Sequence, residues 1–100
     1  MDENFKKKII EDFGLSSMQT VEQEKIIERI GNMLFEAVVE RSIDEMDEKA
    51  MSDFENLINS VGEDYQKVIS FLNSHVSGFQ SIVSEELARL KRATSGIFAQ

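Results

Sequence analysis

Between Thr20 and Met46 the chain spaces its apolar residues as a helix does, and covers more of that helix's circumference than a surface helix needs. At about 100° per residue, Ile26, Ile27, Ile30, Met33, Leu34, Ala37 and Val38 fill one arc of about 140°. Phe35, Val39, Ile43 and Met46 form a second arc about 100° further round. Only a strip of Lys25, Arg29, Asn32, Glu36 and Glu40 stays polar. The first arc ends at Val38, where its positions pass to Arg41 and Glu45, and the second begins only at Phe35. The buried side therefore rotates along the helix, with one partner expected on its early part and another on its later part. Such a helix is the central post of a small bundle or half of a subunit interface.

The same periodicity predicts four further helices. A short one at about 3–13, capped by Asp2, places Phe5, Ile9, Ile10 and Phe13 on one face and stops at Gly14. Leu15-Ser16-Ser17-Met18 reads as a linker. Thr20 with Gln23 has the capping-box pattern, and Ser16 with Gln19 offers a rival start. Gly31 borders the second arc, where a missing side chain suits close approach of another helix. Asp44 or Asp47 caps the next helix; with Asp47, Met46 and Met51 take the hydrophobic-staple positions. Its stripe is Ala50, Met51, Phe54, Leu57, Ile58 and Val61, closed by Gly62. A helix at about 64–74 groups Tyr65, Val68, Ile69 and Leu72, with Phe71 to the side. Ser77-Gly78-Phe79-Gln80 repeats the capping-box pattern and opens a last helix at about 78–93, which residues 94–100 fray or extend. No stretch alternates with period two, and heptads are not sustained.

The expected fold is therefore all-α: one domain over residues 1–100, a compact bundle of four main helices plus the short N-terminal helix. Its expected core is Phe13, Ile27, Ile30, Leu34, Val38, Phe54, Leu57, Ile58, Val68, Leu72, Phe79, Ile82, Val83, Leu87 and Leu90.

Composition narrows the function classes. The chain has no cysteine, which removes disulfides and thiolate chemistry, and no proline. No apolar run approaches the ~20 residues of a membrane span, and nothing near Met1 reads as a secretory signal. A cytoplasmic protein is expected. The net charge is −8, with fifteen carboxylates against four cations between Glu11 and Asp64. That balance disfavours nucleic acid, whose phosphates demand cations, and suits solubility or the steering of a basic partner.

Candidate chemistry is sparse. His75 is the only histidine and falls where an imidazole can bond the last carbonyls of a helix. Glu86 sits at the centre of the arc formed by Phe79, Ile82, Val83 and Leu90. A carboxylate there is expected to be buried and paired with Tyr65, His75 or an arginine, or to serve a partner's cation or a small-molecule site. Arg41 and Glu45 interrupt the long helix in the same way and are candidate counterparts. The run Asp44-Glu45-Met46-Asp47-Glu48 lacks the glycine of a calcium loop and reads as capping charge. Glu36/Glu40 and Glu85/Glu86 have no Glu-x-x-His companion for a di-metal site. The five methionines suit gap-filling or an adaptable surface.

Val68-Ile69-Ser70-Phe71-Leu72, Phe79-Gln80-Ser81-Ile82-Val83-Ser84-Glu85-Glu86-Leu87-Ala88-Arg89 and Phe54-Glu55-Asn56-Leu57-Ile58 after an acidic turn resemble a small all-helical bacterial domain of unknown function, met in uncultivated lineages. The resemblance covers about residues 12–93, leaving out the first helix and the Ile97-Phe98 tail. It implies a compact helical domain, sometimes a module of larger proteins, and carries over no catalytic residue.

The expectation is a protein that is not an enzyme and takes no cofactor, metal, membrane or nucleic acid. It would act by protein–protein interaction or self-association through Phe35, Val39, Ile43 and Met46. The alternatives are an acidic inhibitor or decoy of a basic protein, and a small-molecule-binding domain around Glu86.

Overall fold

A computed structural model of the chain describes residues 3–61 and 64–94. It has five helices, α1 Glu3–Asp12, α2 Thr20–Asp44, α3 Glu48–Val61, α4 Tyr65–His75 and α5 Phe79–Ala93, and no strand among the described residues. The expected roles of Asp2, Gly62 and the tail from Ser95 lie outside the described residues.

Glycine conformation and hydrogen bonding explain where α1 stops. Gly14 has φ 69°, a backbone state that only glycine takes without steric cost. The Leu15 N–H then donates to the Ile10 carbonyl at 2.9 Å and the Gly14 N–H to that of Glu11 at 3.4 Å, the paired bonds of a Schellman ending. This geometry swings Leu15 inward. Leu15 is fully buried, so the segment expected to be a mere linker supplies one of the core's best-shielded residues. Hydrophobic contact by the residue after the glycine commonly accompanies this ending.

Neither expected capping box forms. Thr20 is already helical, and Gln19 holds the cap position of α2 with no side-chain cap bond. The Gln23 amide instead donates to the Leu15 carbonyl at 2.8 Å and ties α2 to the end of α1. Gly78, with φ 72°, is the cap residue of α5, and Ser77 is exposed. Of the two caps expected for α3, Asp47 forms: the Ala50 N–H donates to its Oδ1 at 2.8 Å. Asp64 caps α4 in the same way, accepting from the Lys67 N–H at 3.4 Å.

α2 is the post on which the others assemble. Its 25 residues span roughly 37 Å, which explains extents of 47 × 24 × 18 Å and a radius of gyration of 14.9 Å, above the ~13 Å of a globular chain this long. α1 lies on its beginning, where Lys6 reaches Glu24 at 4.0 Å. α5 packs along it and meets its later part at Arg41. α3 pairs with α4, the Phe54 and Phe71 rings 5.8 Å apart, and α4 also packs on α5. Arg41 continues the first arc, so α5 packs on that side of α2, and the second arc is met at Phe35 by Tyr65 of α4.

Ile27, Ile30, Leu34 and Val38 of the first arc are buried, together with Phe13, Phe54, Val68, Leu72, Phe79, Ile82 and Leu87. Leu57, Val83 and Leu90 are half-buried. Ile58 is exposed, contrary to expectation, as are Met33, Tyr65 and Ile69. Ile58, Met33 and Ile69 lie at the margins of their helices' apolar arcs, and Tyr65 stands in the first turn of α4. Ile9 and Val76 join the core in addition to the expected residues.

Candidate functional site: an apolar ridge and a buried ion pair

Phe35, Val39, Ile43 and Met46 are all half-buried and pack against the core. The face is thus neither bare nor fully covered. At Phe35 the cover comes from the first turn of α4: the Tyr65 ring stacks on it with centroids 4.5 Å apart and planes 25° from parallel. Such stacking contributes about 0.5–1.5 kcal/mol beyond area burial. Tyr65 remains 46% exposed and Ile69, one turn further along α4, 40% exposed. Phe35 and Val39 on one helix and Tyr65 and Ile69 on the next therefore form an apolar ridge open to solvent on its outer side. Sequence periodicity placed Tyr65 and Ile69 inward, because a one-helix stripe does not reveal that α4 turns its edge outward.

Glu86 is 6% exposed, and its carboxylate is paired. Arg41 Nη1 donates to Glu86 Oε2 at 3.0 Å and lies 3.0 Å from Glu85 Oε1, so one nitrogen serves two carboxylates. Arg89, one turn further along α5, stands 3.7 Å from the same Glu86 oxygen. Hydrogen bonds from Glu86 first and Glu85 second raise the Arg41 pKa above the ordinary guanidinium range. Of the counterparts suggested by the sequence it is Arg41, not Glu45, Tyr65 or His75, that meets Glu86. A buried carboxylate occupied in this way is a fastener between α2 and α5. Two shallow surface hollows lie on the early half of α2, beside Thr20, Glu24 and Glu28 and beside Glu22, Ile26 and Arg29.

His75 closes α4: its Nδ1–H donates to the Phe71 carbonyl at 3.0 Å, and its ring stacks on Phe71 with centroids 4.0 Å apart. Among the described residues no three His, Asp or Glu side chains gather as metal ligands, and no helix is long and apolar enough to cross a membrane.

Ser42 was not singled out by its sequence. It continues the buried stripe four residues after Val38, is fully buried, and its hydroxyl has no hydrogen-bond partner among the described residues. A buried hydroxyl without a partner costs about 1–3 kcal/mol. Ser42→Ala removes it and improves helix propensity. The expected result is a gain of about 1 kcal/mol in urea unfolding; an unchanged or lower midpoint would show that the hydroxyl is satisfied in solution.

Five helices around one core, fastened by a part-buried Arg–Glu pair and bearing an open apolar ridge, define a small all-helical domain. The chain belongs to the family described as "Protein of unknown function (DUF5663)", whose model matches residues 9–94. The match takes in the last turn of α1 with the buried Ile9, which the sequence resemblance had left out. No curated protein and no solved structure matches the chain.

Proposed function

We propose that this protein is a non-enzymatic, cytoplasmic interaction module that binds another protein through the ridge of Phe35, Val39, Tyr65 and Ile69. The observation that carries the reading is the outward edge of α4: two large apolar side chains on successive turns remain about half exposed while their stacking partner on α2 is held by the core. Exposed apolar side chains scattered singly are ordinary; contiguous ones on adjoining elements mark contact surfaces.

The test is cross-linking in cells of the source organism, with a photoreactive phenylalanine analogue at position 69 and, as control, at the exposed position Asn59 on α3. A discrete protein adduct from position 69 alone is expected. No adduct there, or the same adducts from both positions, would remove the ridge as a contact surface.

A further inference from the structure

We infer that the ridge takes a basic amphipathic helix of another protein, its apolar stripe against Phe35, Tyr65 and Ile69 and its lysines or arginines against the carboxylates beside them. The inference rests on the reading of the ridge as a contact surface and adds the chemistry of the occupant.

Charge decides it. Glu36 stands three residues before Val39 and Glu40 three before Ile43, so each lies beside the ridge on α2. Both are exposed, and neither has a cation partner among the described residues. Asp64 precedes Tyr65 at the other border, with Lys67 only at 4.0 Å. Next to the ridge on α4 stand Gln66 and Ser70, exposed and uncharged. Arg41 is held by Glu85 and Glu86, and Arg29 lies six residues before Phe35, about 9 Å along the axis. The border of the ridge is thus acidic along α2, while on α4 Asp64 is paired with Lys67 and the other neighbours are uncharged.

An acidic occupant would be repelled, and an apolar one would desolvate Glu36 and Glu40 without returning a partner. A second copy docked by two-fold symmetry would bring the same carboxylates of both subunits into one interface with no added cation. A basic partner turns the same groups into attraction and steering. A helix suits the spacing: Phe35–Val39 and Tyr65–Ile69 each repeat by one turn, about 5–6 Å, and match apolar residues at i and i+4 on an incoming helix.

The experiment titrates the whole protein with three labelled peptides of about 18 residues, long enough for several helical turns. One has a leucine stripe flanked by lysines, one the same stripe flanked by glutamates, and one the lysine composition scrambled without a stripe. Binding of the first at least ~10-fold tighter than of either other is expected, weakening as salt rises. Ile69→Lys and the pair Glu36→Lys/Glu40→Lys should each weaken it at least ~10-fold, whereas Glu48→Lys/Glu55→Lys on α3, with the same charge change, should do so far less. Tyr65→Ser is the second ridge variant, and circular dichroism verifies that each variant is folded.

Equal binding of the glutamate peptide, equal binding of the scrambled peptide, or an equal effect of the α3 pair would overturn the proposal. So would a wild-type dimer in sedimentation that Ile69→Lys splits, which would put a second copy on the ridge. A position-69 adduct in cells together with a failed peptide preference would refute the basic helix and leave the contact surface standing. Absence of the adduct would refute both.

Discussion

Replacing Arg41 by methionine is expected to lower the midpoint of thermal unfolding by on the order of 10 °C, and Arg41→Met/Glu86→Leu to restore most of it. Methionine keeps much of the arginine's length and apolar stem, so the loss falls on the charge and its hydrogen bonds. Glu86 would remain in the core beside α2 with its Oε2 stripped of the 3.0 Å contact. Arg89 stands 3.7 Å away on the same helix and is a partial substitute. A buried charge that loses its partner destabilises far more than the intact pair stabilises, and apolar replacement of both partners is often neutral or favourable. Thermal melts of the wild type, the single variant and the double variant decide the matter. Equal losses in single and double would mean that Glu86 is not strained by losing Arg41.

The pH behaviour follows from the raised pKa of Arg41. A group whose folded-state value is raised contributes stability that is fully present below its unfolded value and lost only as pH rises through the folded one. For a guanidinium both values lie far above pH 9. The gap between wild type and Arg41→Met should therefore be the same at pH 7 and pH 9.

Leu15→Ala is expected to cost about 3 kcal/mol in urea unfolding, within the 2–5 kcal/mol usual for truncating a buried leucine. Leu15 is as shielded as Ile9, Ile30 and Leu72, although it stands outside every helix. The Schellman bonds fix its backbone, and the Gln23 amide holds its carbonyl at 2.8 Å, so the site has little freedom to collapse around a smaller side chain. Met18→Ala, at a half-buried position three residues on, should cost less. A loss at Leu15 below about 1 kcal/mol would show that the α1–α2 junction does not belong to the cooperative core.

The arrangement of charge and apolar residues at the ridge illustrates how far one-helix reasoning reaches. The stripe of α2 correctly marked Ile27, Ile30, Leu34 and Val38 as core, because four consecutive turns point one way and only one direction can be inward. The offset second arc marked a second apolar face, which the structure leaves half-buried. It did not signal the partial cover of that surface by Tyr65, since a contact between residues thirty apart has no local trace. The interruption at Arg41 and the carboxylate at Glu86 each stood out as polar residues at core positions. Their pairing was legible as a candidate because a buried charge needs an opposite one. Ser42 escaped notice because serine is unremarkable in a helix until its surroundings are known to be dry.

Periodicity, glycine placement and capping acids determined the helix content, the order of the five elements, and most of the core, because these depend on bonds and faces within one turn or two. The capping boxes and the linker around Leu15 were decided by tertiary structure, where Gln23 gained more by holding the Leu15 carbonyl than by closing its own helix end. Tertiary structure alone also decided which margins of each stripe stay wet. Burial at a stripe's edge depends on where the neighbouring helix axis falls, which the residues of a single helix do not encode. That placement left Tyr65 and Ile69 at the surface beside Glu36 and Glu40.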